Sequence, residues 1–268
     1  MNKLTLDTKK KYSTLIEALK HFDCVGVAFS GGVDSTLLLY AACEAIDREQ
    51  VFVLHGLSEL LSQREKDSAA KILDELKIDN GMRLEMELHP LIWPEFVANT
   101  SERCYFCKKR MYQTFFRELE KNNCAVLLDG SNVDDLKSCR PGFRAIHELG
   151  VKTPLLDAGL NKEEVRSLAE MYQLNNHDKL SNSCLATRLA EGINIDKGKL
   201  NLVEKYEEFF LSRGFLGCRV KPDNKDVIIQ ATGKDIERLA VSSMRIEISH
   251  LFQSEGFERV LVDLKPRG

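Results

Sequence analysis

An α/β chain, with a doubly wound parallel sheet followed by a small α+β C-terminal domain, is the fold that three observations predict. Short apolar, β-branched runs (CVGVAF at 24–29, VFVLH at 51–55, AVLL within CAVLLDG) recur through the first half, as buried parallel strands do. Helical patterns separate them, which calls for right-handed crossovers. From Lys197 the rhythm changes to an αββαβ run that closes on RVLVDL.

The elements follow in order. After the first strand, TLLLYAACEAI from Thr36 reads as a mostly buried helix. A second strand at 51–55 leads to a helix over about 64–76 with Ala69, Ile72, Leu73 and Leu76 inward, and 82–88 reads as a third strand. A turn-rich stretch then carries the single Trp, Trp93, and ends at RCYFCKK, with a charged helix expected from Met111 to about Lys121. CAVLLDG is the fourth strand, ending in DGSNVDD. Residues 138–154, with Arg140, Pro141, Gly142 and Arg144, read as irregular chain with one short helix. Asn161 caps KEEVRSLAEMY, since its side chain and the early acids suit a helix N-terminus. A polar loop through Asp178 then enters SNSCLATR. The second domain is expected to begin near residue 191: a helix through VEKYEEFFLSRG, strand CRVKP, a turn at Asp223-Asn224, strand DVIIQ, helices to about residue 255 and a last strand.

Composition narrows the function. With 38 basic and 41 acidic residues the net charge is -3, so nothing attracts nucleic acid in general. The start, MNKLTLDTKKKYSTL, is charged and without an apolar core, and no apolar run reaches the length that spans a bilayer. A soluble, cytoplasmic protein with no membrane partner is expected. Eight cysteines in such a chain read as core residues, ligands or catalytic thiols rather than disulfides. Cys24 and Cys43 lie in apolar elements, and Cys124 and Cys218 start strands. Cys104, Cys107 and Cys184 are the informative ones.

FSGGVDST stands between the first strand and its helix, where a nucleotide-binding turn belongs. Gly31 and Gly32 let the backbone turn and approach a ligand, while Ser30, Asp34 and Ser35 surround a helix N-terminus that favours phosphate oxygens. An ordinary βα turn capped by Asp34 or Ser35 has no need of that concentration of glycine and polar residues. A Walker loop is excluded, since no Lys-Ser or Lys-Thr follows the last glycine. Because ligands bind beyond the carboxyl ends of strands, SGGVDS and DGSNVDD are expected to face one crevice.

Cys104 and Cys107 form a C-x-x-C pair flanked by Arg103, Lys108 and Lys109. Cationic neighbours suit a redox dithiol or a metal or cluster ligand, against the plainer reading of two incidental helix-start cysteines. No second pair has zinc-site spacing. Cys184 sits in a small polar loop with Arg188 four residues on, better placed as a thiolate nucleophile or ligand than as core filler. Three thiolates meeting in one crevice would hold a 4Fe-4S cluster with one iron open.

SGGVDS resembles the PP-loop of the ATP pyrophosphatase superfamily, whose members split ATP between the α and β phosphates and activate a substrate as its adenylate. With RCYFCKK, LLDGSNVDDL, RPGFRAIHELGVKTPLLDAGLNKEEVRSLAE, SCLATR and GFERVLVDL, nearly the whole chain resembles the LarE family of ATP-dependent sulfur transferases. The resemblance implies a sheet of the PP-loop, adenine nucleotide alpha hydrolase-like type over 1–190 and a substrate-binding or assembly domain over 191–268. It implies a homo-oligomer, and a substrate, pyridinium-3,5-biscarboxylic acid mononucleotide, whose carboxylates are adenylated and then converted to thiocarboxylates. That chemistry leads to the nickel-pincer nucleotide cofactor and lactate racemase maturation.

Carried over by position, Ser30, Gly31, Gly32, Asp34 and Ser35 match the nucleotide loop, and Asp129 the acidic strand end near ATP and Mg2+. Cys184 matches the sulfur-bearing cysteine, Arg188 its neighbour, and Glu207 and Arg219 the second-domain substrate pocket, at a junction of the two domains; on pattern alone Glu207 reads as solvated helix surface. Family members with one cysteine sacrifice its sulfur, whereas those with three resemble enzymes whose 4Fe-4S centre carries sulfide from an external donor; Cys104, Cys107 and Cys184 favour the second kind. The loop after Arg188 reads LAEGINI, where the family more often has an aromatic-Pro-Tyr-Gly turn. The alternatives are a PP-loop tRNA thiolase, which wants a basic face, an amide-forming ligase, which has no use for three thiols, and a non-catalytic nucleotide-binding regulatory module.

Overall fold

The computed structural model describes residues 4–137, 141–181 and 183–267. Its elements in chain order are α1 (Leu6–Leu19), β1 (Val25–Ala28), α2 (Val33–Ala45), β2 (Val51–Leu57), α3 (Gln63–Glu75), β3 (Arg83–Glu87), α4 (Pro94–Val97), α5 (Arg103–Lys121) and β4 (Leu127–Leu128). There follow α6 (Pro141–Glu148), α7 (Pro154–Asp157), α8 (Lys162–Met171), α9 (Lys197–Leu211), β5 (Arg219–Asp223), β6 (Asp226–Thr232), α10 (Gly233–Leu239), α11 (Ser242–Ser254) and β7 (Arg259–Arg267).

Two compact units form, one from residues 1–90 and 101–179, the other from 91–100 and 180–268. In the first, β3-β2-β1-β4 make a parallel sheet. Side chains alternate across each strand, so Val25, Val27, Val51 and Val53 pack beneath α1, α2, α3 and α8. Phe52, Leu54 and Leu127 pack on the other face beneath Tyr112, Phe115 and Leu119 of α5 and Ile146 of α6. Both faces are covered, as a doubly wound α/β sheet requires. The order also puts a switch point between β1 and β4, because the chain leaves β1 toward β2 on one side and returns to β4 on the other.

Three elements differ from the sequence reading. Helix α1 covers a stretch that looked only charged; it buries Tyr12, Leu15 and Leu19 and is capped by Thr5, whose hydroxyl accepts from the Thr8 amide. Helix α5 begins at Arg103 rather than Met111, so the C-x-x-C pair occupies its first two turns. Tyr105, Tyr112, Phe115 and Leu119 supply the buried stripe of this helix, a pattern that the run of cations obscures. Strand β4 pairs over two residues only, after which Leu128 bridges to Lys152.

In the second unit β5 and β6 form an antiparallel hairpin through Asn224, whose φ is 51°, and β7 pairs parallel to β6. Its core joins Tyr206 and Phe210 of α9, Val227, Ile229 and Ala231 of β6, and Ile248 and Phe252 of α11. The αββαβ run opens with α9 at Lys197, where the sequence pattern changes, while the packing boundary lies at Lys179/Leu180 rather than near the expected residue 191. Residues 91–100 join this unit because Asn99 donates to the carbonyls of Ala190 and Ile193 (2.7 and 2.8 Å), and Ile195 donates to Val97 (3.0 Å). Among the described residues no helix is long and apolar enough to cross a membrane.

Gly31 tests how tightly the sheet's first turn is built. Its φ is 68°, in the left-handed region, and a Cβ there would lie 3.0 Å from the Ala69 Cβ on α3. Gly31→Ala is expected to cost about 2 kcal/mol through strain and contact together, read as a lowered denaturation midpoint; an unchanged midpoint would mean that the turn is soft.

Candidate functional site

The β1–α2 turn closes on itself through its serines. The Ser30 amide donates to Ser35 Oγ (3.3 Å), the two hydroxyls lie 3.2 Å apart, and Ser35 Oγ donates to the Gly32 carbonyl (3.0 Å). Ser35 is thus spent on the shape of the loop. Gly32 is the N-cap residue, and the first intrahelical bond runs from the Thr36 amide to the Gly32 carbonyl (3.0 Å). The amides of Val33, Asp34 and Ser35 therefore have no acceptor within the helix, which is the arrangement that receives phosphate oxygens.

The turn is braced from two sides that the sequence reading passed over. Behind it, Asn176 donates to the Gly31 carbonyl (3.3 Å) and to Thr36 Oγ1 (2.9 Å), and Lys179 reaches Ser68 Oγ (3.0 Å) and the Gly31 carbonyl (3.4 Å). Burial pushes the Lys179 ammonium below its ordinary value, Glu65 opposing this and Arg64 adding to it. In front, Asp34 accepts from Asn132 Nδ2 (2.9 Å) and pairs with Lys162 at the start of α8. Asn132 lies in DGSNVDD and Lys162 directly after the Asn161 cap, so SGGVDS and DGSNVDD do share one end of the sheet. Lys162 carried no signal beyond its place in a helix start.

Gly130 explains why β4 ends where it does. A Cβ at this position would lie 3.0 Å from the Ser35 amide nitrogen, so the strand end and the first turn of α2 approach closely enough that a larger residue would require the backbone to give by a few tenths of an ångström. Its neighbour Asp129 is 8 % exposed. Tyr112 and Ser131 donate to it, the Ser131 amide adds a bond of 2.9 Å, and Lys108 Nζ stands 3.2 Å from Oδ2. Burial alone would raise the Asp129 pKa, but the Lys108 ammonium and the hydrogen bonds from Ser131 and Tyr112 outweigh it and hold the carboxyl below its usual range. Tyr112 responds oppositely: burial and the Asp129 charge push its phenol well above the ordinary value. Lys108, read from sequence as a cation for the thiols, is directed to Asp129.

Cys104 is exposed and Cys107 half-buried, three residues apart and so neighbours on one face of α5. Arg103 Nη2 lies 4.0 Å from the Cys104 sulfur. Helix α6 packs across this first turn. Arg144 stacks 3.6 Å from the Tyr105 ring centroid and pairs with Glu102, and Glu148 accepts from Tyr105 and Lys109 (2.7 and 2.8 Å). Cys184, also half-buried, belongs to the second unit. Among the described residues no three His, Cys, Asp or Glu side chains are grouped to hold a metal ion.

In the second unit Arg188 is 2 % exposed. Its Nε and Nη2 donate to the two carboxylate oxygens of Glu207 (2.7 and 3.0 Å), and Nη1 donates to the carbonyls of Ser183 (2.7 Å) and Cys184 (3.2 Å). The loop bearing Cys184 is therefore tied to α9 by a bidentate, charge-assisted pair. Glu207 also accepts from the Val220 amide (3.2 Å), which takes it out of the solvated class. Arg219 and Arg267 both donate to the Ser181 carbonyl (3.1 and 3.0 Å). Lys221 stands in the field of these cations: burial and then Arg219, Arg188 and Arg267 lower its pKa, against the opposing charge of Asp263. Arg267 carried no motif in the sequence and meets Arg219 only at the Ser181 carbonyl, whereas Lys221 lies two residues from Arg219 along β5.

A parallel sheet whose first βα turn is SGGVDS defines the class: a nucleotide-binding protein of PP-loop type. Residues 4–138 match the PP-loop domain family. The pyridinium-3,5-bisthiocarboxylic acid mononucleotide synthase of Lactiplantibacillus plantarum is 31 % identical over 97 % of this chain and 92 % of its own. An uncharacterized protein of Synechocystis is 29 % identical over 96 % of this chain and 94 % of its own, and one of Methanocaldococcus jannaschii 28 % over 89 % and 88 %. The chain belongs to the LarE family of PP-loop proteins.

The Lys108–Asp129 pair is open to test by pH. Because the folded Asp129 pKa is lowered, its stabilisation is whole above about pH 4 and is lost as pH falls through the folded value. Lys108→Met is expected to cost about 3 kcal/mol at neutral pH by leaving a buried carboxylate short of its cation. Denaturant titrations should show that gap narrowing in acid; a gap independent of pH would assign Lys108 a packing role only.

Proposed function

We propose that the chain is an ATP-dependent sulfur transferase that acts on the carboxylates of pyridinium-3,5-biscarboxylic acid mononucleotide. The observation that carries this reading is the coincidence of an intact, braced PP-loop with an end-to-end match to a synthase of the corresponding bisthiocarboxylic acid. A substrate carboxylate oxygen attacks the α-phosphorus of ATP, the bond to the bridging oxygen breaks, and pyrophosphate leaves. A sulfur nucleophile then adds to the acyl carbon and expels AMP, leaving a thiocarboxylate.

The chain's own groups support each step. The first amides of α2 receive phosphate oxygens, and the Lys162 ammonium, paired with Asp34, adds positive charge where pyrophosphate departs. Asp34 is the hard oxygen donor that would hold Mg2+. Asp129 is the second carboxylate that would stand near Mg2+. The oxygens of both acids are engaged by protein donors, Asp34 by Asn132 and Lys162 and Asp129 by Tyr112, Ser131 and Lys108. Metal binding would exchange one of these contacts, and Asp129 also holds the strand end against the loop. Arg219, Lys221 and Arg267 offer a cationic face to the nucleotide phosphate. Cys104, Cys107 and Cys184 are the thiolates that would hold a 4Fe-4S cluster, a donor set suited in type. Such a cluster would supply a place for sulfide brought from a separate donor. The second reading, sacrifice of the Cys184 sulfur, draws on the fact that Cys184 shares no helix with the C-x-x-C pair.

Product analysis checks the first half of the reaction: AMP and pyrophosphate are expected, and ADP with phosphate would refute it. Asp34→Ala should lower turnover at least about 100-fold by removing the partner of Lys162 and of the metal. For the second half, Cys104→Ala, Cys107→Ala and Cys184→Ala should each lower iron content and activity together after anaerobic purification. An iron-free enzyme active without Cys104 and Cys107, and lighter after turnover by about 34 Da at Cys184 through conversion to dehydroalanine, would establish the sacrificial course instead.

A further inference from the structure

Within the first unit, away from the amides of the loop, lies a cavity of about 420 Å³. Its size is in the range of small-molecule sites, and the mechanism makes no use of it. The buried side of the cavity is apolar apart from one hydroxyl: Ile72, Ile78 and Leu174 line it with Thr36. Its walls are the half-buried rings of Tyr40 and Tyr172, whose centroids lie 4.7 Å apart, and the half-buried Cys43 thiol. The exposed rim carries Arg48 and Lys77 against one acid, Glu75. Arg48 spends only Nη2, on the Leu76 and Lys77 carbonyls (2.5 and 3.4 Å), which leaves its other donors to face a ligand.

We propose that this cavity is a second small-molecule site that takes a planar aromatic anion, its ring lying against the wall that Tyr40 and Tyr172 form together and against the apolar floor, and its carboxylate or phosphate at Arg48. Aromatic walls select a flat ring, and a guanidinium held by one nitrogen offers the paired donors an anionic group uses. The floor gives the site a consequence. Thr36 Oγ1 donates to the Gly32 carbonyl (2.9 Å) and accepts from Asn176, which also holds the Gly31 carbonyl. A ligand resting on Thr36 therefore presses on the residues that shape the nucleotide turn, and its occupancy shifts ATP affinity. This rests on the nucleotide loop alone, whatever substrate the adenylate activates.

The test uses the whole chain, with 2-naphthoate as probe and naphthalene-2-carboxamide as its uncharged analogue. Alkylation of Cys43 by N-ethylmaleimide is followed by peptide mass spectrometry. Saturating 2-naphthoate should slow it at least about tenfold, the carboxamide less, and Arg48→Gln should abolish the difference between the two. ATP affinity measured with and without the probe should differ about twofold or more. Unchanged Cys43 alkylation overturns the site; equal protection by both compounds, insensitive to Arg48→Gln, overturns its anionic character; unchanged ATP affinity under full protection overturns the link to the loop. Loss of sulfur transfer chemistry would leave each of these readouts intact, so the two proposals fail separately.

Discussion

The buried carboxylate of Asp129 is the constraint on which the rest of the first unit depends. It sits at the end of a two-residue strand, a pairing too short to hold position by its ladder alone. Tyr112 and Lys108 fasten it to α5, and Ser131 folds the following chain back over it. With Asp129 held, Gly130 lies against the first turn of α2, and Asn132 can reach Asp34. A buried charge is tolerable only with its partners in place. The same network thus fixes β4, the helix that carries Cys104 and Cys107, and the nucleotide loop in one arrangement.

The second unit solves a similar problem with the opposite charge. Arg188 is a guanidinium with almost no contact with water, and its donors are matched by Glu207 and by carbonyls of the loop it closes. Because Glu207 also binds the Val220 amide, α9, β5 and the Cys184 loop share one electrostatic fastening. Near this pair stand Arg219 and Arg267, which both donate to the Ser181 carbonyl, and Lys221, which faces the charge of Asp263. Burial and pairing thus let Arg188 order the loop, while Arg219 and Arg267 hold the Ser181 carbonyl at its edge.

Much of this was legible in the sequence, and the reasons differ by element. SGGVDS is visible because glycines and small polar residues mark a turn wherever they stand, and φ at Gly31 confirms the demand. The parallel sheet is visible because β1, β2 and β4 are apolar on both faces. Helix α1 and the early start of α5 were hidden, since lysines and arginines mask a stripe of widely spaced Tyr, Phe and Leu. Glu207 and Lys108 were misjudged in environment, because burial of a charge depends on a partner distant in sequence.

The sequence by itself determined the class of loop, the alternation of strands and helices, the αββαβ run and the presence of three thiols near cations, all of which rest on local spacing and residue type. Only the tertiary structure decided which carboxylate meets which cation: Lys162 with Asp34, Lys108 with Asp129, Arg188 with Glu207. Those pairings span separations of up to 128 residues. Local patterns cannot encode them, because an ion pair is set by where the backbone carries two side chains and by the cost of leaving either one buried alone.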